Sequence, residues 1–138
     1  MRNDVVAVAR RWVGTPYQHQ ASCEGAGTDC LGLVRGIWRE ICGAEPAVVP
    51  AYTPDWSETS KDERLLEAMG RYFTHVPEAA IGDVLVFRLR VVAKHLAVVS
   101  GHGKIIHAYS GRGVVETPLS AAWERRIAGV FRFPDRSN

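Results

Sequence analysis

Thr28-Asp29-Cys30-Leu31-Gly32-Leu33-Val34 is the stretch on which the fold turns. Thr28 or Asp29 can cap a helix, and Cys30, Leu33, Val34, Ile37, Trp38 and Ile41 then recur at spacings of three and four. That spacing lays one apolar stripe along a helix, and Gly43 reads as its stop. Upstream lies a polar loop, residues 17–28, containing Gly25 and Gly27. Cys30 therefore falls in the first turn of a largely buried helix, with apolar neighbours on its C-terminal side only.

Toward the N-terminus, Val5, Val8, Ala9 and Trp12 share a helical face. A first helix is expected over roughly residues 4–13, capped by Asn3 or Asp4 and ended by Gly14-Thr15-Pro16. Toward the C-terminus, residues 44–59 carry Pro46, Pro50 and Pro54 and read as a surface loop in which Tyr52 and Trp56 are buried. Ser60 to Glu63 fits a capping box for a third helix reaching about Phe73. After Gly82-Asp83 the pattern changes to short β-branched runs: VLVFRLRV from 84, HLAVVS from 95, KIIHAYS from 104, GVVETPL from 113 and AGVFRF from 128. Gly-containing loops at 101–103 and 111–113 suit hairpins, and residues 119–125 suit a short helix or turn. Helices followed by strands predict an α+β fold, with N-terminal helices packed on a C-terminal antiparallel sheet of about five strands. No repeat or linker divides residues 1–138, which read as a single domain.

Composition is that of an ordinary globular chain, with 46% hydrophobic and 23% charged residues. A formal net charge of +2 gives no case for nucleic acid, and the adjacent pairs Arg10-Arg11 and Arg125-Arg126 read as solvated faces. Three cysteines, Cys23, Cys30 and Cys42, cannot all pair within one chain, which argues against a disulfide framework and fits a reducing compartment. The N-terminus lacks the apolar core of a signal peptide, and no run approaches the ~20 apolar residues of a membrane span. Synthesis in the cytoplasm is expected, with no membrane insertion.

A thiol attacks as thiolate, and a helix N-terminus or a neighbouring imidazole can favour that form. Cys30 has the first by position. His95, opening a predicted strand, and His107, within the next, can supply the second. Pairing about His102 sets residue 95 opposite about 109, so His107 is a near-diagonal neighbour. A separation of 12 residues keeps both side chains on one sheet face. Nucleophile, base and orienting group are thus all available. His19, Cys23, Cys30 and His95 match no common zinc spacing. Cys23 reads as an incidental loop thiol and Cys42 as half-buried. His75 and His102 read as exposed, and the four tryptophans as core or loop anchors.

GTPY from 14, DCLGLV from 29, GDVLVF from 82, KHLAVVSG from 94 and KIIHAYSG from 104 stand in one order that resembles the signature blocks of NlpC-type cell-wall peptidases, the NlpC/p-sixty family. The likeness runs from Asp4 to Phe133. It implies a papain-like fold and a cysteine peptidase acting on peptidoglycan stem peptides, typically between D-glutamate and a diamino acid, without a cofactor. By the same resemblance Cys30 is the nucleophile, His95 the base and His107 its orienter. Tyr17 would sit near the oxyanion, and Asp29 would face a substrate amine. Leu31 replaces the serine common after the cysteine, and Gln18-His19-Gln20 replaces a Trp-Gly-Gly. The bulky Leu31 resembles the phage-tail and gene-transfer-agent branch, which implies tail or baseplate proteins as partners and action at the cell wall from a phage-like particle. Two rivals remain: an amidase or acyltransferase of the same fold, and an inactive structural component of a tail tip.

Overall fold

The computed structural model describes residues 1–46, 64–89 and 92–135. Helix α1 spans Asn3–Trp12 and α2 spans Cys30–Ile41, while α3 spans Arg64–Tyr72 and the short α4 spans Ala121–Glu124. A two-stranded ribbon, β1 (Ser22–Cys23) and β2 (Gly27–Thr28), lies inside the segment expected to be plain loop. The main sheet contains β3 (Thr74–His75), β4 (Val84–Leu89), β5 (Val92–Gly101), β6 (Lys104–Tyr109), β7 (Gly113–Pro118) and β8 (Ile127–Arg132). Its order is β3-β8-β4-β5-β6-β7, antiparallel throughout. The expectation of about five strands misses β3, whose two residues are too few for any alternation to register.

The expected first cap is corrected as well. The N-cap of α1 is Arg2, without a side-chain cap; Asp4 instead accepts from the Val5 N–H and pairs with Arg2. The capping box at Ser60, together with Tyr52 and Trp56, lies outside the described residues.

Period-two alternation gives the sheet two apolar faces. Val84, Val86, Leu96, Val98, Ile106 and Ala108 join Val5, Ala9 and Trp12 of α1 and Leu33, Ile37 and Ile41 of α2 in the larger core. Leu85, Phe87, Ala97 and Ile105 face the other way, toward Leu119, Trp123, Ile127 and Val130. Close packing of α1 on α2 explains Gly36, since a Cβ there would strike the Trp12 ring. Gly32 is required for a similar reason: its Cβ would strike the Ala21 carbonyl and Thr28 Oγ1. The loop before Cys30 is therefore pressed directly onto the helix that Cys30 starts. Arg11, expected to be merely solvated, bridges Glu24 of the ribbon turn at 2.8 Å and Glu40 of α2. Arg39 adds a bond to the Ser22 carbonyl at 2.8 Å.

Candidate active site

Asp29 caps α2 and sets where the helix begins. Its Oδ1 accepts from the Gly32 N–H and its Oδ2 from the Gln20 N–H, each at 2.8 Å. The second bond holds Gln20 at φ +66, a conformation unusual for a side-chain-bearing residue. Asp29 is buried, with His19 Nδ1 3.9 Å from Oδ2. Both carboxylate oxygens thus carry backbone donors, and the role seen for Asp29 is to fix the loop and the helix start around Cys30.

Cys30 is held by backbone. Its thiol donates to the Lys94 carbonyl at 3.8 Å, and its sulfur accepts from the Leu96 N–H. The residue between those two is His95. The sheet makes this approach possible. Val99 exchanges backbone bonds with Gly82 and Asp83 on the β4 side, so by alternation the N–H of Leu96 points toward β6. Pairing of β5 with β6 runs from Gly101 back to Val98, opposite Ile106, and is not continued among the described residues toward His95. Cys30 thus meets β5 on the side where the β6 ladder has ended. A β-bulge accompanies this opening: Phe87 pairs with His95 and Arg88 with Ala93, leaving Lys94 as the extra residue. Bulges re-aim the side chains beside them.

His95 and His107 lie on the face opposite the larger core, both buried. His95 Nε2 is 2.8 Å from His107 Nδ1, and His107 Nε2 is 3.3 Å from Thr117 Oγ1. The expected diagonal relation is found, with the same register sum that the loop centre predicts. Nε2 of His95 is engaged by His107, so Nδ1 is the ring nitrogen that this bond does not use. The His95 ring is flanked by Phe87 (centroids 5.9 Å, 34°) and Trp123 (5.1 Å, 31°), and Trp123 also meets His107 at 5.8 Å. Trp123 thus shields both imidazoles, which its anchor-like position after β7 did not reveal.

Electrostatics correct one expectation. Burial, followed by the Asp29 carboxylate, pushes the Cys30 thiol up to about 12, despite backbone donors from Leu96, Leu31 and Cys30 itself. The helix start does not outweigh desolvation here. Burial and then His107 push His95 down to about 3, and burial pushes His107 down to about 4. Burial thus favours the neutral form of the thiol and of both imidazoles. Tyr17, half-buried and bridged to Thr28, is raised to about 12 by burial and then by the nearby Cys30 and Asp29. Its hydroxyl is accordingly protonated and available as a donor near the sulfur.

Cys23 is exposed and Cys42 half-buried, and among the described residues none of the three cysteines forms a disulfide. Among the described residues no group of three or more His, Cys, Asp or Glu is placed to hold a metal ion, and no helix is long and apolar enough to cross a membrane.

A cysteine opens a helix against β5, and β5 and β6 each carry one histidine of a bonded pair. The profile of the NlpC/P60 family matches residues 14–132. This chain belongs to the NlpC/P60 family. Murein DD-endopeptidase MepS/Murein LD-carboxypeptidase of Escherichia coli (strain K12) is 26% identical over 127 residues, covering 91% of this chain. The chain spans 60% of the length of that relative. Among solved structures, the NlpC/p60 domain of peptidoglycan hydrolase SagA superposes with a TM-score of 0.63 at 22% identity, covering 94% of this chain and 97% of that one. An NlpC/P60 family protein from Bacillus cereus ATCC 10987 gives 0.67 at 21% identity, covering 96% of this chain and 40% of the other. These likenesses establish the α+β NlpC/P60 fold, helices with a mostly antiparallel sheet, for this chain.

Proposed function

We propose that this NlpC/P60 chain, acting as one domain over residues 1–138, is a cysteine peptidase that hydrolyses an amide bond in peptidoglycan stem peptides, between D-glutamate and a diamino acid. The observation that carries the proposal is the sulfur of Cys30 lodged against β5 at Lys94 and Leu96, with His95 between them and its far nitrogen held by His107. Names of similar proteins support the substrate class: the Escherichia coli relative is a murein endopeptidase and SagA a peptidoglycan hydrolase.

The steps follow from the neutral resting pair. The Cys30 S–H turns from the Lys94 carbonyl to Nδ1 of His95, which takes the proton as sulfur attacks the amide carbon. The Tyr17 hydroxyl and the Cys30 N–H, in the first turn of α2, stabilise the oxyanion. His95 returns the proton to the leaving amine, leaving a thioester on Cys30. A water then gives its proton to His95, attacks the thioester and releases the acid, and the proton returns to sulfur. His107 keeps His95 oriented and supports its positive charge in both halves. Asp29 positions the Cys30 turn; contact between its carboxylate and a substrate amine would compete with two backbone donors.

Leu31, directly after the nucleophile, supports a finer reading: synthesis in the cytoplasm and delivery to the wall in the tail of a phage-like particle. Its test is whether the protein co-purifies with such particles from producing cells. For the activity, purified protein is incubated with isolated sacculi and released fragments are identified by mass spectrometry. Stem-peptide fragments cut at a D-glutamyl bond are expected, and Cys30→Ala should release none. Full release by a folded Cys30→Ala protein would end the proposal.

A further inference from the structure

His95, His107 and Thr117 lie on adjacent strands β5, β6 and β7, all at odd-numbered positions, each one diagonal step from the last. His107 pairs across β6 and β7 with Val115, and Thr117 with Ile105, so Thr117 is displaced two residues from the direct partner of His107. The three side chains form one line: His95 Nε2 to His107 Nδ1 at 2.8 Å, then His107 Nε2 to Thr117 Oγ1 at 3.3 Å.

A histidine in the orienting position creates a problem that an amide or carboxylate would not. A neutral imidazole carries one N–H and one acceptor nitrogen, so it transmits a choice of direction along the line. If Thr117 donates to His107 Nε2, His107 bears its proton on Nδ1 and donates to His95. The His95 proton then sits on Nδ1 and cannot accept from the thiol. If Thr117 accepts from His107 Nε2–H, then His107 Nδ1 accepts from His95 Nε2–H. Nδ1 of His95 is then a lone pair.

We propose that the Thr117 hydroxyl accepts from His107 Nε2–H and thereby fixes both histidines as Nε2–H tautomers, making Thr117 a positioning residue for the base. The inference rests on the reading of Cys30, His95 and His107 as nucleophile, base and orienter. Thr117 is half-exposed on the edge strand β7, so its own hydrogen can be given to solvent, whereas His107 is buried. Without the hydroxyl, a buried Nε2–H is left unpaired, and such groups are costly. The proton then moves to Nδ1 of His107 and reverses the line. The neighbours that bear on this pair are Cys30 at the β5 backbone, and Tyr109 and Trp123, whose rings stand 5.6 and 5.8 Å from that of His107.

The proton positions can be read without turnover. Two-bond ¹H–¹⁵N correlation of the histidine rings at pH 7 in the full-length protein should show His95 and His107 both protonated on Nε2. In Thr117→Val, nearly equal in volume, at least one ring should shift its proton to Nδ1. Alkylation of Cys30 by iodoacetamide should slow by at least about tenfold. Thr117→Ser, which keeps the hydroxyl, should restore both the tautomers and most of the rate. A wild-type His95 protonated on Nδ1 would overturn the proposal, as would unchanged tautomers and rate in a folded Thr117→Val protein. The wild-type spectrum decides even if that variant fails to fold. Because the tautomers are measured without substrate, a catalytically active Cys30→Ala protein would end the peptidase reading, and with it the positioning role of Thr117, and leave the tautomer assignment standing.

Discussion

The two halves of the site are held in different ways. The sulfur is fixed by main chain: Asp29 ties the Gln20 and Gly32 N–H groups around it, and Lys94 and Leu96 of β5 supply its polar contacts. The imidazoles are fixed by side chains from separate elements: by each other, by Thr117, and by the rings of Phe87 and Trp123. A site held by main chain tolerates exchange of most surrounding side chains, provided the backbone can still approach. A site held by side chains depends on each one. The position of Cys30 is thus a matter of the main chain of residues 14–32 and of β5 at Lys94 and Leu96, and that of the imidazoles is a matter of how four strands and α4 assemble.

Removal of single side chains should separate the two halves most strongly. His95→Ala should lower the rate of sacculus digestion by about 10³-fold or more, since it deletes the proposed proton acceptor. His107→Ala should cost less, on the order of 10–100-fold, because an orienter acts through the base. Initial rates of fragment release measure both, and equal or reversed losses would dissolve the distinction between base and orienter.

Acid should act on the imidazole half alone. An unfolded histidine protonates near pH 6.5, whereas burial holds His95 near 3 and His107 near 4 in the folded chain. Between those limits the unfolded state binds more protons. The stability that the neutral pair contributes is present above about pH 6.5 and is lost as pH falls toward 3. At pH 5 the loss should be about 2 kcal/mol for each histidine. Urea unfolding at pH 7 and pH 5 tests this, with the difference expected to shrink in His107→Ala. Equal stability at both values would mean that the imidazoles are not held neutral.

The sulfur half should respond instead to backbone crowding. Gly32→Ala drives a Cβ into the Ala21 carbonyl and Thr28 Oγ1, and should destabilise the fold by about 1–3 kcal/mol. The histidine ring resonances should stay in place while the reactivity of Cys30 changes. Movement of the histidine resonances would show that the halves are not separately supported.

This division also explains what the sequence disclosed. A cap at Thr28 or Asp29, Cys30 in the first turn and the stripe through Ile41 are local, and a single window of residues reveals them; the structure gives the cap to Asp29. The meeting of His95 with His107 was legible because a hairpin has one register and a strand has period two. The contact of Trp123 with the imidazoles and the bond from Thr117 are not legible, since a short helix after β7 and an edge-strand hydroxyl gain meaning only once the sheet is assembled. The bulge at Lys94 leaves no mark in the alternation of HLAVVS, which starts after it. The state of the thiol is only half legible for a related reason. The helix start is visible in sequence, while the burial against β5 that outweighs it is not.

The central claim is that a neutral Cys30 thiol gives its proton to His95 as it attacks. Its most direct measurement is the rate of Cys30 alkylation by iodoacetamide from pH 5 to 9, with thiolate absorbance near 240 nm followed in the same samples. Cys23→Ser and Cys42→Ala backgrounds isolate the signal. The account predicts no thiolate band over this range, a nearly pH-independent rate, and a large fall in that rate in His95→Ala. A thiolate band already present at neutral pH, or a rate indifferent to His95, would contradict it.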